Sequence, residues 1–225
     1  MRVALLGGTG DIGEGLALRW ARETDHEIVV GSRKAEKAAD KAAEYEAELA
    51  DRGLDREVAG LPNEAAAEGA DLVVLSVPPQ YAADTVEGIA EALAEDAILV
   101  SPAVGMTRDE DGFHYNPPPN ADSVTEYVAE AAPDRVSVVG AFHNISANRL
   151  ADLDEDLDAD ILVLGGEKDE DAKETVRDLT RAIPGLRPVD AGPLSNAHEV
   201  EGITPLLINI AMHNDDMSHV GVTFH

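Results

Sequence analysis

Two clusters in this chain have residue types and spacing suited to a phosphorylated ligand. Gly8-Thr9-Gly10-Asp11-Ile12-Gly13 spells G-x-G-x-x-G between the short apolar run Arg2–Leu6 and a segment carrying Ile12, Leu16 and Trp20 at four-residue spacing. A strand, a glycine turn and a helix in that order form a dinucleotide site: Gly8 is expected to permit the tight turn, Gly10 to let backbone approach a pyrophosphate, and Gly13 to let the helix pack close on the strand. The opening of the helix then offers free N–H groups and the positive end of its dipole. At the end of the next strand, where a carboxylate would bind a ribose 2′-hydroxyl, the chain carries Gly31-Ser32-Arg33, with Lys37 one helical turn beyond. A hydroxyl, a guanidinium and an ammonium converging there suit a 2′-phosphate, so the expected cofactor is NADP. The plainer readings are a glycine turn that binds nothing, and an Arg33 and Lys37 that only pair with acids such as Glu36.

Other chemistries find few residues to use. There is no cysteine, which excludes disulfides, thiolate metal sites and cysteine nucleophiles. None of Tyr45, Tyr81, Tyr115 and Tyr127 has a lysine four residues later, and the only lysines after Lys41 are Lys168 and Lys173, in an acidic segment. Histidine is the remaining acid–base candidate. His114, His198, His213, His219 and His225 show no ligand spacing with a carboxylate cluster, so no metal site is expected, and His143 alone reads as a strand-end histidine. The expected reaction is a direct hydride exchange that asks little acid–base chemistry of the protein.

The elements that must position these residues alternate. Apolar runs at Arg2–Leu6, Glu27–Gly31, Asp71–Val77, Ala97–Ser101, Val136–Ala141, Ile161–Leu164 and Leu186–Asp190 predict strands. Helices are predicted at Ile12–Ala21, Ala35–Arg52, Gln80–Leu93, Ser123–Ala131, Asp169–Ile183 and Glu199–Met212. This is an α/β chain with a doubly wound parallel sheet of the Rossmann NAD(P)-binding type. Residues 105–122, with Asn116-Pro117-Pro118-Pro119-Asn120, read as irregular, either disordered or a lid. The expected division is an NADP-binding domain over 1–141 and a small C-terminal lobe over 142–225, too short for an independent oxidoreductase module or a large helical dimerisation domain. A final helix more apolar than a small lobe needs allows a homodimer.

Charge narrows the partners. Among 225 residues, 17 Lys+Arg stand against 45 Asp+Glu, a net charge of −28. Nucleic acid is excluded as a partner because a polyanion needs a basic stripe. No apolar stretch reaches the roughly 18 residues of a membrane helix, and the N-terminal run is too short for a signal peptide, so a cytoplasmic protein is expected. The carboxylates are spread along the whole chain, as in Glu44-Tyr45-Glu46-Ala47-Glu48 and Asp152-Leu153-Asp154-Glu155-Asp156. Scattered acids, few lysines and 4% aromatics fit the surface of a halophilic protein, whose self-repulsion molar salt screens.

Beyond these patterns, the chain resembles the archaeal NADPH:coenzyme F420 oxidoreductases, which pass a hydride between NADP and an 8-hydroxy-5-deazaflavin. The resemblance runs over the whole chain. It rests on Val3-Ala4-Leu5-Leu6-Gly7-Gly8-Thr9-Gly10 with Gly15-Leu16-Ala17-Leu18-Arg19, on Ile28-Val29-Val30-Gly31-Ser32-Arg33 with Glu36-Lys37-Ala38, on Ala141-Phe142-His143-Asn144-Ile145, and on Asp190-Ala191-Gly192-Pro193-Leu194 followed by Leu206-Leu207-Ile208-Asn209-Ile210. It implies that Thr9 to Ile12 hold the pyrophosphate and that Ser32, Arg33 and Lys37 hold the 2′-phosphate. Leu75-Ser76-Val77-Pro78, Met106 and Ala147 would line the nicotinamide side, Val220 would close over it, and His143 with Ile145 would contact the deazaflavin. The chain departs from the family pattern at Pro79, where tryptophan is common, and at Asn144-Ile145-Ser146, where Thr-Ile-Pro is common; both lie near the second-cofactor pocket. Other readings of the same residues are an NADPH-dependent reductase of another flat acceptor, such as a flavin or a ferric complex, and a non-catalytic NADP-sensing module.

Overall fold

The computed structural model describes residues 1–225 except Ser218 and His219 and the side chains of Asp11 and Glu167. The chain runs β1 (Arg2–Leu6), α1 (Asp11–Glu23), β2 (Glu27–Ser32), α2 (Ala35–Asp51), β3 (Val58–Pro62), α3 (Asn63–Ala67), β4 (Leu72–Leu75), α4 (Ala82–Ile89), β5 (Ile98–Ser101). It continues with β6 (Met106–Asp109), β7 (Gly112–Tyr115), α5 (Val124–Ala131), β8 (Ser137–Gly140), α6 (Ala147–Ala151), β9 (Ala159–Gly165), α7 (Glu170–Arg181), β10 (Leu186–Asp190) and α8 (Ala197–His213).

Eight of the strands form one sheet in the order β10-β9-β8-β5-β4-β1-β2-β3, a doubly wound α/β arrangement. The central strands are apolar runs because helices cover both faces of the sheet. Side chains alternate across it: Val3, Leu5, Leu72 and Val74 join the core under α1 and α2, whereas Ala4, Leu6, Val73 and Leu75 join the core under α4 and α5. Trp20 of α1 is fully buried, packs edge-on against Phe142 with ring centroids 5.8 Å apart, and donates Nε1–H to Leu179 O at 2.9 Å. Arg19, 4% exposed, donates to the carbonyls of Leu150, Arg149, Asp152 and Glu155 and so fastens the segment after α6 to α1.

Four features differ from the expected elements. Edge strand β3 and the short helices α3 and α6 carry no clear apolar period: Val-Ala-Gly-Leu-Pro reads as a loop until β2 pairs with it in parallel. The expected helix from Gln80 is a single turn at Pro79–Tyr81 followed by α4, which ends at Ile89. The sheet is not wholly parallel, because β9 runs antiparallel to β8 while β10 is parallel to β9. Residues 105–122, expected to be irregular, contain the antiparallel hairpin β6–β7. Asn209 of α8 secures that hairpin: its Oδ1 accepts Phe113 N–H at 2.8 Å and its Nδ2 donates to Phe113 O at 2.7 Å, so one side chain acts as the next strand would. The irregular reading of residues 105–122 missed the hairpin because the partner that orders it lies far along the chain.

Candidate active-site cleft

Strand order reverses direction of growth at β1, which lies between β4 and β2, and ligands of open α/β sheets bind outside the carboxyl ends of the strands at such a point. A cleft of about 1280 Å³ opens there, larger than the roughly 300–1,000 Å³ of a pocket for one drug-sized ligand. The segments following β1, β2, β4, β5 and β8 meet on it, together with one face of α8.

At the glycine end, the turn after β1 takes its left-handed residue at Gly7, with φ 77°, and Gly8 closes it by donating its N–H to Leu5 O at 3.0 Å. A side chain at Gly7 would also strike Ser76 O, 2.5 Å from where its Cβ would stand. Gly8 and Gly13 do not line the cleft but pack on each other, since a Cβ on Gly13 would lie 2.7 Å from Gly8 Cα. That contact lets α1 open directly against the turn. Thr9, Gly10 and Ile12 do line the cleft, and a Cβ on Gly10 would meet no atom within 4 Å, so this backbone faces open space. The side chain of Asp11 lies outside the described residues. Tyr45, which spacing did not single out, reaches from α2 to donate its hydroxyl proton to Gly8 O at 2.7 Å. Burial pushes its phenol far above the ordinary range, which keeps the donor protonated.

Ser32, Arg33 and Lys37 also reach this end. Among the described residues no carboxylate pairs with Arg33 or Lys37, whereas Lys41, further along α2, does pair, with Glu44 at 2.5 Å. The Arg33 guanidinium instead stacks 5.4 Å above the Tyr81 ring. Asn63 adds a buried Oδ1 with no partner among the described residues. Both Tyr81 and Asn63 escaped the sequence reading, since neither has a motif around it. The arrangement fits the 2′-phosphate of NADP: two free cations on one rim and no carboxylate among them.

Ser76, Val77, Pro78, Met106, Ala147 and Val220 also line the cleft. Ser76 Oγ donates to Leu6 O at 2.9 Å and ties the end of β4 to that of β1. Val220 is held by the tail that follows it. Asp160 N–H donates to Val222 O at 2.8 Å, the Asp160 carboxylate accepts Phe224 N–H at 2.5 Å, and Arg187 grips the same carboxylate through two nitrogens. Arg187 holds the Asp160 carboxyl below its usual range.

At the far end stand His143 and Ile145, facing Thr204, Leu207 and Ile208 of α8. The chain reaches His143 through Phe142, a non-glycine residue in the left-handed region at φ 66°, a conformation that costs of order 1–3 kcal/mol and persists only where the surroundings enforce it. Burial of the Phe142 ring against Trp20 supplies that enforcement and leaves His143 turned to the cleft. His143 is 3% exposed, its main-chain O accepts the Thr204 hydroxyl at 2.7 Å, and its Nε2 lies 3.2 Å from Thr125 Oγ1. Its Nδ1 is buried with no partner among the described residues, so backbone does not satisfy this histidine. Burial lowers its pKa to about 4, so the ring is neutral at pH 7. Asn144 bridges to β9, donating to Asp160 O at 2.6 Å and accepting Leu162 N–H at 3.3 Å. Its side chain therefore belongs to the sheet connection, although it departs from the family pattern.

Among the described residues no group of three His, Cys, Asp or Glu side chains is arranged to hold a metal ion, and no helix is long and apolar enough to cross a membrane.

Comparison with known proteins agrees with this geometry. Residues 2–105 match the family model for coenzyme F420-dependent NADP oxidoreductases. The F420-dependent NADP reductase of Methanocaldococcus jannaschii is 41% identical over 93% of this chain and 92% of its own length. That of Methanothermobacter marburgensis is 38% identical over 95% and 94%. Among solved structures, an Arthrobacter sp. FB24 protein superposes with a TM-score of 0.80 at 23% identity, covering 100% of this chain and 99% of that one, and so shares the fold. A pyrroline-5-carboxylate reductase from Coxiella burnetii gives 0.60 at 16% identity over 94% and 67%. With a glycine turn, a cationic rim and an apolar far end on one cleft, and with relatives this similar over nearly the whole length, the chain belongs to the F420-dependent NADP reductase family.

Proposed function

We propose that this protein transfers a hydride between NADP(H) and coenzyme F420, an 8-hydroxy-5-deazaflavin, both bound in the one cleft. The observation that carries this reading is continuity: a single cavity joins the free cations Arg33 and Lys37 to an apolar end where a buried histidine has an unmet ring nitrogen. When bound, the reduced nicotinamide supplies the hydride and the deazaflavin accepts it, or the reverse. The chain's own part is alignment and exclusion of water, since reacting carbons of two flat rings must approach to roughly 3–3.5 Å.

On this reading Thr9, Gly10, Asp11 and Ile12 bind the pyrophosphate, with Gly8 and Gly13 shaping the turn. Ser32, Arg33 and Lys37 bind the 2′-phosphate, and Ser76, Val77, Pro78, Met106, Ala147 and Val220 enclose the nicotinamide. His143 and Ile145 position the deazaflavin. The working division is 1–141 for NADP(H) and 142–225 for completing the second pocket, although β9 and β10 continue the same sheet. The hairpin β6–β7 brings Met106 to the cleft as a fastened wall. Exposed Leu206 and Met212 on α8 support a homodimer, which light scattering would test. Both substrates are charged and water-soluble, in keeping with a cytoplasmic site of action.

The test is spectroscopic. Enzyme, NADPH and the deazaflavin are mixed without oxygen, and loss of the deazaflavin's visible band at a rate proportional to enzyme is the expected result. Reduction of a flavin or ferric complex with the deazaflavin untouched would replace the acceptor. Tight NADPH binding with no turnover of any acceptor would mark a sensor.

A further inference from the structure

The backbone that presents Arg33 is set, but its long side chain is not. Lys34 N–H donates to Ser32 Oγ at 3.3 Å, and Ser32 is buried at the end of β2. Among the described residues no hydrogen bond or ion pair holds the guanidinium; what it meets is the Tyr81 ring, whose centre stands 5.4 Å from the guanidinium carbon. That is within the roughly 6 Å at which a cation is drawn to an aromatic face.

The two residues come from opposite sides of the switch point. Arg33 follows β2 and Tyr81 follows β4, with β1 between those strands. Tyr81 has a fixed backbone: its N–H donates to Pro78 O at 2.9 Å, and its O accepts the Thr85 hydroxyl at 2.7 Å, at the opening of α4. The residue is 43% exposed and lines the same cleft as Arg33, so the core does not account for the ring.

Stacking and phosphate binding use different parts of a guanidinium. An aromatic ring attracts its planar face, whereas its five N–H groups lie in the plane and point outward from the edge. A phosphate on the edge therefore leaves the face to Tyr81. A flat ring needs about 3.5 Å on each of its own faces, so at 5.4 Å no adenine fits between Arg33 and Tyr81.

We infer that Tyr81 is a positioning residue that sets the preference for a 2′-phosphorylated nucleotide through Arg33: its ring holds one face of the guanidinium and leaves the N–H edge free for the phosphate. The inference deepens the proposed function and rests on its placement of the 2′-phosphate at Arg33. Without the ring the guanidinium samples more arrangements, and apparent affinity falls with the fraction that is competent to bind. An exposed cation–π contact shifts such a population about two- to fivefold.

The test uses the full-length protein and two probes that differ only in the 2′-phosphate, adenosine 2′,5′-bisphosphate and 5′-AMP, titrated calorimetrically at one ionic strength. The quantity read is the ratio of their affinities. Tyr81→Ala is expected to lower that ratio about two- to fivefold, and Tyr81→Phe, which presents a similar face without the hydroxyl, to keep it. On an Arg33→Ala background, Tyr81→Ala is expected to lower it no further. An unchanged ratio in Tyr81→Ala overturns the inference, as does an equal loss for both probes, which would put the ring against the adenine. So does a Tyr81→Phe ratio as low as that of Tyr81→Ala, which would assign the effect to the hydroxyl, or a further drop on the Arg33→Ala background. A damaged fold cannot pass for support, because it would weaken both probes alike. Failure of the underlying placement reads differently: Arg33→Ala would then leave the ratio unchanged, and the inference would fall with it. Neither probe involves the deazaflavin, so the outcome is independent of the hydride-transfer test.

Discussion

The Tyr45 hydroxyl donates to the carbonyl oxygen of Gly8 at 2.7 Å, and the ring that carries it is 1% exposed. A helix on the far side of the second strand thus fixes the peptide at the centre of the glycine turn. Removing that hydroxyl leaves a buried carbonyl unpaired, so Tyr45→Phe should destabilise the fold by about 1–2 kcal/mol. On the proposed reading, in which the turn serves the pyrophosphate that both share, it should also weaken NADPH and NADH to the same degree. Urea unfolding with parallel nucleotide titrations checks this; unchanged affinity for both nucleotides would show the turn to be rigid without Tyr45.

Arg33 is the counterpart at the rim. With no carboxylate partner and a stacking contact on Tyr81, it is free for a phosphate. Arg33→Ala is expected to weaken NADPH by about 1.5–3 kcal/mol, the range for a hydrogen bond to a charged group, with little effect on NADH. Equal losses for the two nucleotides in calorimetric titrations would remove Arg33 from the 2′-phosphate site.

His143 makes stability depend on pH in a defined window. Its folded pKa, about 4, lies below the ordinary 6.5. Between those values the unfolded chain binds a proton that the folded chain does not, so stability falls as pH drops from about 6.5 towards 4, by roughly 3 kcal/mol in total, and is unaffected by this group above that range. The carboxyl of Asp160 is lowered, so it loses its stabilising contribution only in more acidic solution. Urea midpoints measured from pH 4.5 to 7.5 should slope for wild type and slope less steeply for His143→Gln, in which His26, also lowered by burial, still contributes. Parallel slopes would place the titration elsewhere.

The net charge of −28 predicts a salt response. Repulsion between surface carboxylates favours an expanded chain at low ionic strength, and screening relieves most of it by a few tenths molar, where the Debye length is already under about 8 Å. A halophilic protein should go on gaining at higher salt through strengthened apolar burial. Thermal melts from 0.1 M to 3 M KCl, with activity measured alongside, are expected to show a rising midpoint throughout. A midpoint flat above about 0.3 M with full activity at low salt would refute the halophilic reading and leave the cleft unaffected.

The glycine turn, the cations after β2 and the sheet around them were legible from sequence. Gly8 to Gly13, and Ser32 with Arg33 and Lys37, are local motifs in which a few neighbouring residues set the backbone, and the proposed phosphate chemistry rests on them. The central strands β1, β2, β4 and β5 are legible because burial on both faces demands unbroken apolar runs. One signal was present and unused: Glu201 is the last acid before a long apolar stretch of α8, and a charge so placed has to find buried partners.

Those partners were beyond local reading. Glu201 meets Val124 and Thr125 across 77 and 76 residues, and Asn209 meets Phe113 across 96. Such hydrogen bonds follow no spacing rule, because the chain must fold before donor and acceptor share a site. The same holds for β3, which is a strand only by pairing with β2, and for Val220, which reaches the cleft only because Asp160 and Arg187 anchor the tail. Tertiary structure therefore decided how His143 is buried and which of its ring nitrogens meets Thr125, whereas the sequence had already placed a histidine at that strand end.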